Sequence, residues 1–293
     1  VVETKGRQAK HSNVMRSEET PMLPDMPLIV LQNNGSASAS EVVAGAIQDL
    51  DRGVIIGQRS FGKGLVQIIR SLSYNTALKI TTSRYHIPSG RSIQSTTYMH
   101  DEENTSRKVP DSLRKAYETR NGRKVYDGRG IAPDIEVDED EQSLLEVALL
   151  QNSHYFFFAN QYYSNHPEMG DSVSREKLYG EFRDYLKKED FSFQSKTESD
   201  LEDLKRNLAS ADLDVSYQDQ ISHLQKIIEK EKEDTYQQEK GDIQQELYKE
   251  IISRYRGKTG RIEANTKVDP VIRKAIELSN DTSQYRSILG LNK

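Results

Sequence analysis

The sequence contains no cysteine. Disulfides, cysteine nucleophiles and thiolate metal sites are therefore excluded, while a cysteine-free chain suits reducing and oxidising surroundings alike. Also missing is any apolar run near the roughly 18 residues that a membrane-spanning helix needs. Positive charge is not in excess. The net charge of -5 gives no sign of the basic footprint of a nucleic-acid binder. No close grouping of histidine and carboxylate residues has metal-ligand spacing, so no metal is expected. A signal segment is absent too, and the chain opens on Val1-Val2-Glu3 without a methionine. It reads as the interior of a longer protein, so the missing signal carries no weight for location.

What is present divides by composition. Of the 293 residues, 34% are hydrophobic and 30% charged. That balance predicts a packed domain joined to a segment solvated over much of its surface. From residue 28 to about 137 the apolar residues come in short, β-branched runs separated by turn signals. PLIVLQ (27–32) and GVIIG (53–57) read as buried strands. SASASEVVAGAIQDLD (36–51), between them, carries Val42, Val43, Ala46, Ile47 and Leu50 at helical spacing, which favours a parallel pair. LVQIIRSL and ALKITTSRYHI, joined by the short polar SYNT (73–76), predict an antiparallel hairpin. Residues 95–123 are expected as a surface excursion, and DGRGIAPDIEV (127–137) as a strand or edge segment. Beyond 138 the pattern is helical. LLEVALLQ (144–151), HYFFFANQYY (154–163), the stripe Leu201, Leu204, Leu208 and a long stretch over 216–256 follow one another. EKEKED (229–234) is expected as a solvated helix face. The domain expectation is thus 1–137 followed by a helical 138–293.

GQRSFGKG (57–64) almost spells a phosphate-binding loop. Gly64, however, stands where a Ser or Thr should hold magnesium. The run after Lys63 is β-branched, where the phosphate cradle needs a helix N-terminus. No nucleotide is expected. Alone, the segment is a turn with an exposed lysine, unless an upstream group gives Lys63 a task. NNGSASASE (33–41) offers one, because a serine at a strand-to-helix turn faces the positive end of the helix. The same small residues read equally well as caps and close-packing positions. None of the six histidines lies in a local catalytic signature. A Ser-His-Asp triad stays open without support. A Ser-Lys pair is the alternative, and it requires burial to bring lysine down from its reference value of about 10.4.

SASASEVVAGAIQD, GQRSFGKGLVQ, ALKITTSRYHIPSGRSIQ and DGRGIAPDIEV, in that order and spacing, resemble the C-terminal processing (tail-specific) proteases over residues 28–137. The resemblance implies an α+β fold: a mixed-sheet protease core of the ClpP/crotonase type, followed by a mostly helical C-terminal domain. It also implies that Ser38 is the nucleophile, Lys63 the general base and Gln67 a residue that positions Lys63. On a strand Lys63 and Gln67 would share a face. The N–H of Ala39 would supply half of the oxyanion hole. The other half would come from a Gly-rich LRxNPGG-like turn that, with the PDZ domain, lies outside this sequence. Asp49 matches an acidic position expected to be structural. The implied reaction is acyl transfer without cofactor, on polypeptides with flexible apolar C-termini, in the periplasm or cell envelope. The helical domain is then a surface for self-association or an envelope partner. A different class of reading stands beside this one: a non-catalytic helical interaction module attached to an incomplete protease core.

Overall fold

The structure, a computed structural model, describes residues 1–98, 106–108, 110–138, 143–168, 174–210 and 217–291. The strands are β1 (Val2–Gly6), β2 (Asn13–Met15), β3 (Ile29–Gln32), β4 (Val54–Gly57), β5 (Leu65–Ser71), β6 (Ala77–His86), β7 (Thr96–Tyr98), β8 (Ser106–Lys108), β9 (Ala116–Glu118), β10 (Lys124–Tyr126) and β11 (Ile135–Glu136). The helices are α1 (Ala39–Asp49), α2 (Leu144–Gln151), α3 (His154–Asn165), α4 (Arg175–Lys188), α5 (Lys196–Ser210), α6 (Gln218–Gln238), α7 (Lys240–Thr266), α8 (Pro270–Asn280) and α9 (Thr282–Ile288). They form two compact units, Val1–Glu139 with Asp269–Lys293, and Asp140–Val268.

In the first unit, β3 and β4 pair in parallel with Ile29 opposite Val54 and Gln32 opposite Gly57, and β11 adds to the far side of β4. Helix α1 is the crossover between β3 and β4, as the strand-helix-strand pattern predicts. Gly57 has φ +125°, and a Cβ there would meet the Gln32 carbonyl oxygen at 2.0 Å, so only glycine ends β4 in this way. A second sheet has the order β2-β1-β6-β5, with β5 and β6 forming the expected antiparallel hairpin.

The expected helical region 138–293 needs one correction, because its last part packs on the sheet. Val54 and Ile56 share a core with Val271, Leu278, Tyr285 and Leu289. The Tyr285 hydroxyl accepts from Leu28 N and donates to Leu28 O, at 2.9 and 3.2 Å. Side chains alternate along a strand, so Val54 and Ile56 share one face that must be covered, and α8 and α9 cover it. Pro270 opens α8, and the Asp269 side chain caps it by accepting from Val271 N and Ile272 N.

The second unit is a helical cluster. Leu145, Leu149, Tyr155, Phe158, Phe182, Ile243, Leu247 and Ile251 belong to one buried core. The stretch predicted over 216–256 is two helices, α6 and α7, with a further kink at Gly257. The charged block 229–234 lies on α6, largely solvated, with Glu233 paired to Arg183 and Lys232 to Glu198. Among the described residues, no helix is long and apolar enough to cross a membrane.

Candidate active site

Strand β3 ends at Gln32, and a polar turn carries the chain to α1. Asn33 Oδ1 accepts from Gly35 N, Ser36 Oγ accepts from Asn33 N, and Phe61 N donates to the Ser36 carbonyl. Ser38 follows at φ 60° and ψ -115°, a conformation that non-glycine residues seldom adopt. Such strain persists only where the surroundings hold it. Ser38 N donates to Glu41 Oε2 at 2.8 Å, which is part of that hold. Ala39 is the first residue of α1. Its N–H is therefore one of the donors that a helix leaves without an intrahelical partner.

Glu41 is the residue that the sequence reading missed. Its side chain is fully buried, and it accepts from four donors. Oε1 takes Ser60 Oγ and Gly62 N, both at 2.6 Å, and Oε2 takes Ser38 N and Lys63 N, both at 2.8 Å. One carboxylate thus ties the turn carrying Ser38 to the turn carrying Lys63. Ser38-x-x-Glu41 has the spacing of a capping box, and that signal was legible. The links to Ser60, Gly62 and Lys63 were not, because they join positions far apart in sequence.

The Lys63 turn is clamped from its other side as well. Ser95 N donates to Gly62 O at 2.9 Å, Gly64 N donates to Gln94 Oε1 at 2.8 Å, and Tyr85 N donates to Gly64 O. Gly62 has φ +89°, and a Cβ there would lie 2.4 Å from Ser95 Cβ, so the turn demands glycine. Lys63 precedes β5, not a helix, which removes the phosphate-loop geometry.

Beside this turn lies a cleft of about 600 Å³, whose walls include Ala37, Phe61, Lys63, Leu65, Gln67 and Gln94. Ser38 does not line it, although Ala37, its neighbour in the chain, does. No histidine lines it either. Two expectations change here. Lys63 is not on a strand, since β5 begins at Leu65, and the register of β5 shifts between Val66 and Gln67. Simple alternation therefore does not place Lys63 and Gln67 together; a turn and a bulge bring both to the cleft. Gln67 Nε2 donates to Thr81 Oγ1 at 3.3 Å. Lys63 is also solvent-exposed, so the apolar burial expected for a lysine base is not built into the free cleft.

Asp49 lies at the other end of α1, in a buried ion pair. Its Oδ1 accepts from Arg91 Nε and Nη2 at 3.1 and 2.8 Å, and its Oδ2 accepts from Ser89 N. Burial lowers the pKa of the Arg91 guanidinium, and the charge of Asp49 opposes that shift. His86 Nδ1 meets the Gly90 carbonyl, and His100 lies outside the described residues.

The sequence that forms these turns and strands is similar to that of known proteins. Residues 1–103 match the family model of peptidase family S41. The chain resembles the C-terminal processing proteases. Residues 145–278 match the model of the C-terminal helical domain of probable PDZ-proteases, which takes in most of the second unit and most of α8. The carboxy-terminal-processing protease of Bartonella bacilliformis is 53% identical over 96 residues, covering 32% of this chain and 22% of that protein. The chloroplastic C-terminal processing peptidase of Tetradesmus obliquus is 53% identical over 64 residues, covering 22% and 14%. The carboxyl-terminal-processing protease of Synechocystis sp. is 38% identical over 102 residues, covering 35% and 23%. This chain therefore spans less than a quarter of the length of these C-terminal processing proteases.

Proposed function

We propose that Ser38 and Lys63 are the nucleophile and general base of a serine endopeptidase that cleaves polypeptides near their C-termini. The observation that carries this reading is the Glu41 carboxylate, which accepts from the backbone N–H groups of both residues through one oxygen. Neutral Lys63 takes the Ser38 hydroxyl proton as Oγ attacks a peptide carbonyl. The resulting oxyanion faces the N–H of Ala39 at the positive end of α1. Collapse breaks the C–N bond, the departing amine takes the proton from Lys63, and an ester to Ser38 remains. Water, deprotonated by Lys63, attacks that ester and releases the acid. Gln67 lines the same cleft and positions the lysine. Because Lys63 is exposed, the bound polypeptide supplies the apolar cover that favours its neutral form. An extended substrate with an apolar C-terminus provides that cover. The resemblance to bacterial relatives supports action in the cell envelope.

The test is mass spectrometry of a loosely folded protein with an apolar C-terminus, incubated with this chain and with a version lengthened at its N-terminal end. Cleavage is expected to vanish with Ser38→Ala and with Lys63→Ala, and to survive each His→Ala change. Cleavage that survives Lys63→Ala overturns the pair. Absence of cleavage by either length shifts the assignment to a helical interaction module on an inactive core.

A further inference from the structure

The helical unit carries a concave site of its own, built wholly from residues of α3, α4 and the turns beside them. It is a cleft of about 820 Å³ whose walls include His154, Phe157, Tyr185, Glu189, Asp190 and Phe191. Two tight turns frame it. Ser153, at φ 56°, separates α2 from α3, and Asp190, at φ 52°, reverses the chain after α4. That reversal is held by Phe191 N donating to Leu186 O at 2.9 Å. It sets the Phe191 ring edge-on to His154, with centroids 4.6 Å apart, and His154 meets Tyr185 in the same manner at 6.0 Å. Phe157 stands 56% exposed, a large apolar surface left facing water.

The charge of the cleft has one sign. Glu189 and Asp190 are both exposed, and among the described residues neither has an ion-pair partner, although Lys187 and Lys188 precede them. They sit at the C-terminal end of α4, where the helix dipole adds partial negative charge. Burial lowers the pKa of His154, against the opposing charge of Glu189, which favours the neutral imidazole over one that repels a cation. Aromatic surface beside unpaired carboxylates is the chemistry that receives a positive charge on an apolar stem.

We propose that this cleft binds a lysine- or arginine-bearing segment of a polypeptide. The alkyl stem lies against Phe157, Tyr185 and Phe191, and the cation lies between the rings and the carboxylates of Glu189 and Asp190. The site stands apart from the peptidase assignment, and either can fail without the other.

The test is fluorescence anisotropy of a labelled peptide, Gly-Lys-Val-Lys-Gly, titrated with the full chain. The same peptide with glutamine in place of lysine serves as comparison. Glu189→Gln with Asp190→Asn is expected to raise Kd roughly tenfold, and Phe157→Ala by about threefold. Glu202→Gln with Asp203→Asn on α5 removes the same charge elsewhere and is expected to leave Kd unchanged. The imidazole resonances of His154 should move on addition of the lysine peptide to the unaltered chain, a readout that needs no variant. Equal weakening by the α5 pair would reduce the effect to general charge attraction and overturn the site. So would equal binding of the glutamine peptide, or an unmoved His154 at saturating peptide.

Discussion

The two units of this protein solve the same problem with different forces. In the sheet unit buried polar contacts hold the turns of the candidate site and the far end of α1. Glu41 gathers four donors, Asp49 pairs with Arg91, and Arg123 joins Asp51 and Asp134, both at 2.6 Å. In the helical unit the equivalent work is done by aromatic packing, with Phe182 stacked on Tyr155 at 5.3 Å and edge-on to Phe158 at 5.2 Å. Hydrogen bonds are directional and costly to leave unmade, so they fix where a turn lies. Packing of this kind is broader in its demands and tolerates exchange of similar shapes. A turn that must present Ser38 and Lys63 needs the first kind of support, whereas helices that form a scaffold need only the second.

That comparison can be broken, most forcefully at the ion pair. Arg91 is 2% exposed, and Arg91→Met would leave Asp49 buried and unpaired. The expected loss is about 3–5 kcal/mol in the sheet unit, read by urea unfolding followed through hydrogen exchange of β4 amides. A loss under about 1 kcal/mol would mean that water replaces the guanidinium.

The next test is Glu41→Gln, which keeps size and shape but turns an NH2 group towards one pair of donors. It should cost about 1–3 kcal/mol. Exchange of the Ser38, Gly62 and Lys63 amides should accelerate more than that of β4. Unchanged exchange at those amides would show that the carboxylate is not what holds the turns. Rescue by Glu41→Asp is not expected, because the shorter side chain cannot reach both turns.

The smallest effect is expected in the other unit. Phe182→Leu should cost about 1–1.5 kcal/mol and leave far-ultraviolet circular dichroism unchanged. A loss matching that of Arg91→Met would remove the distinction between the units.

Much of this was legible in the residues. Strand-helix-strand over 27–57 and the hairpin around SYNT follow from apolar spacing and from a connection too short for a crossover. Helices α2, α3 and α5 follow from periodicity in the same way. Of the candidate site, Ser38, Ala39, Lys63 and Gln67 were reached through motif resemblance. A shared strand face for Lys63 and Gln67 needs a strand that reaches back to Lys63, whereas β5 begins two residues later. In the sequence Glu41 is a first-turn acid of α1. Nothing local distinguishes a carboxylate that caps its own helix from one that also binds Ser60, Gly62 and Lys63.

The sequence by itself determined the kinds of element and their order. Helical and strand periodicities, glycines at forced turns and capping residues are all properties of neighbours along the chain. Only the tertiary structure decided which faces are covered and by what. Val271, Leu278 and Tyr285 carry a helical pattern that would fit either unit. They join the sheet unit because Val54 and Ile56 leave an apolar face that must be kept from water. The same holds for Glu41. Its burial is decided by turns brought together in space, where a carboxylate with four donors is stable and one without them is not.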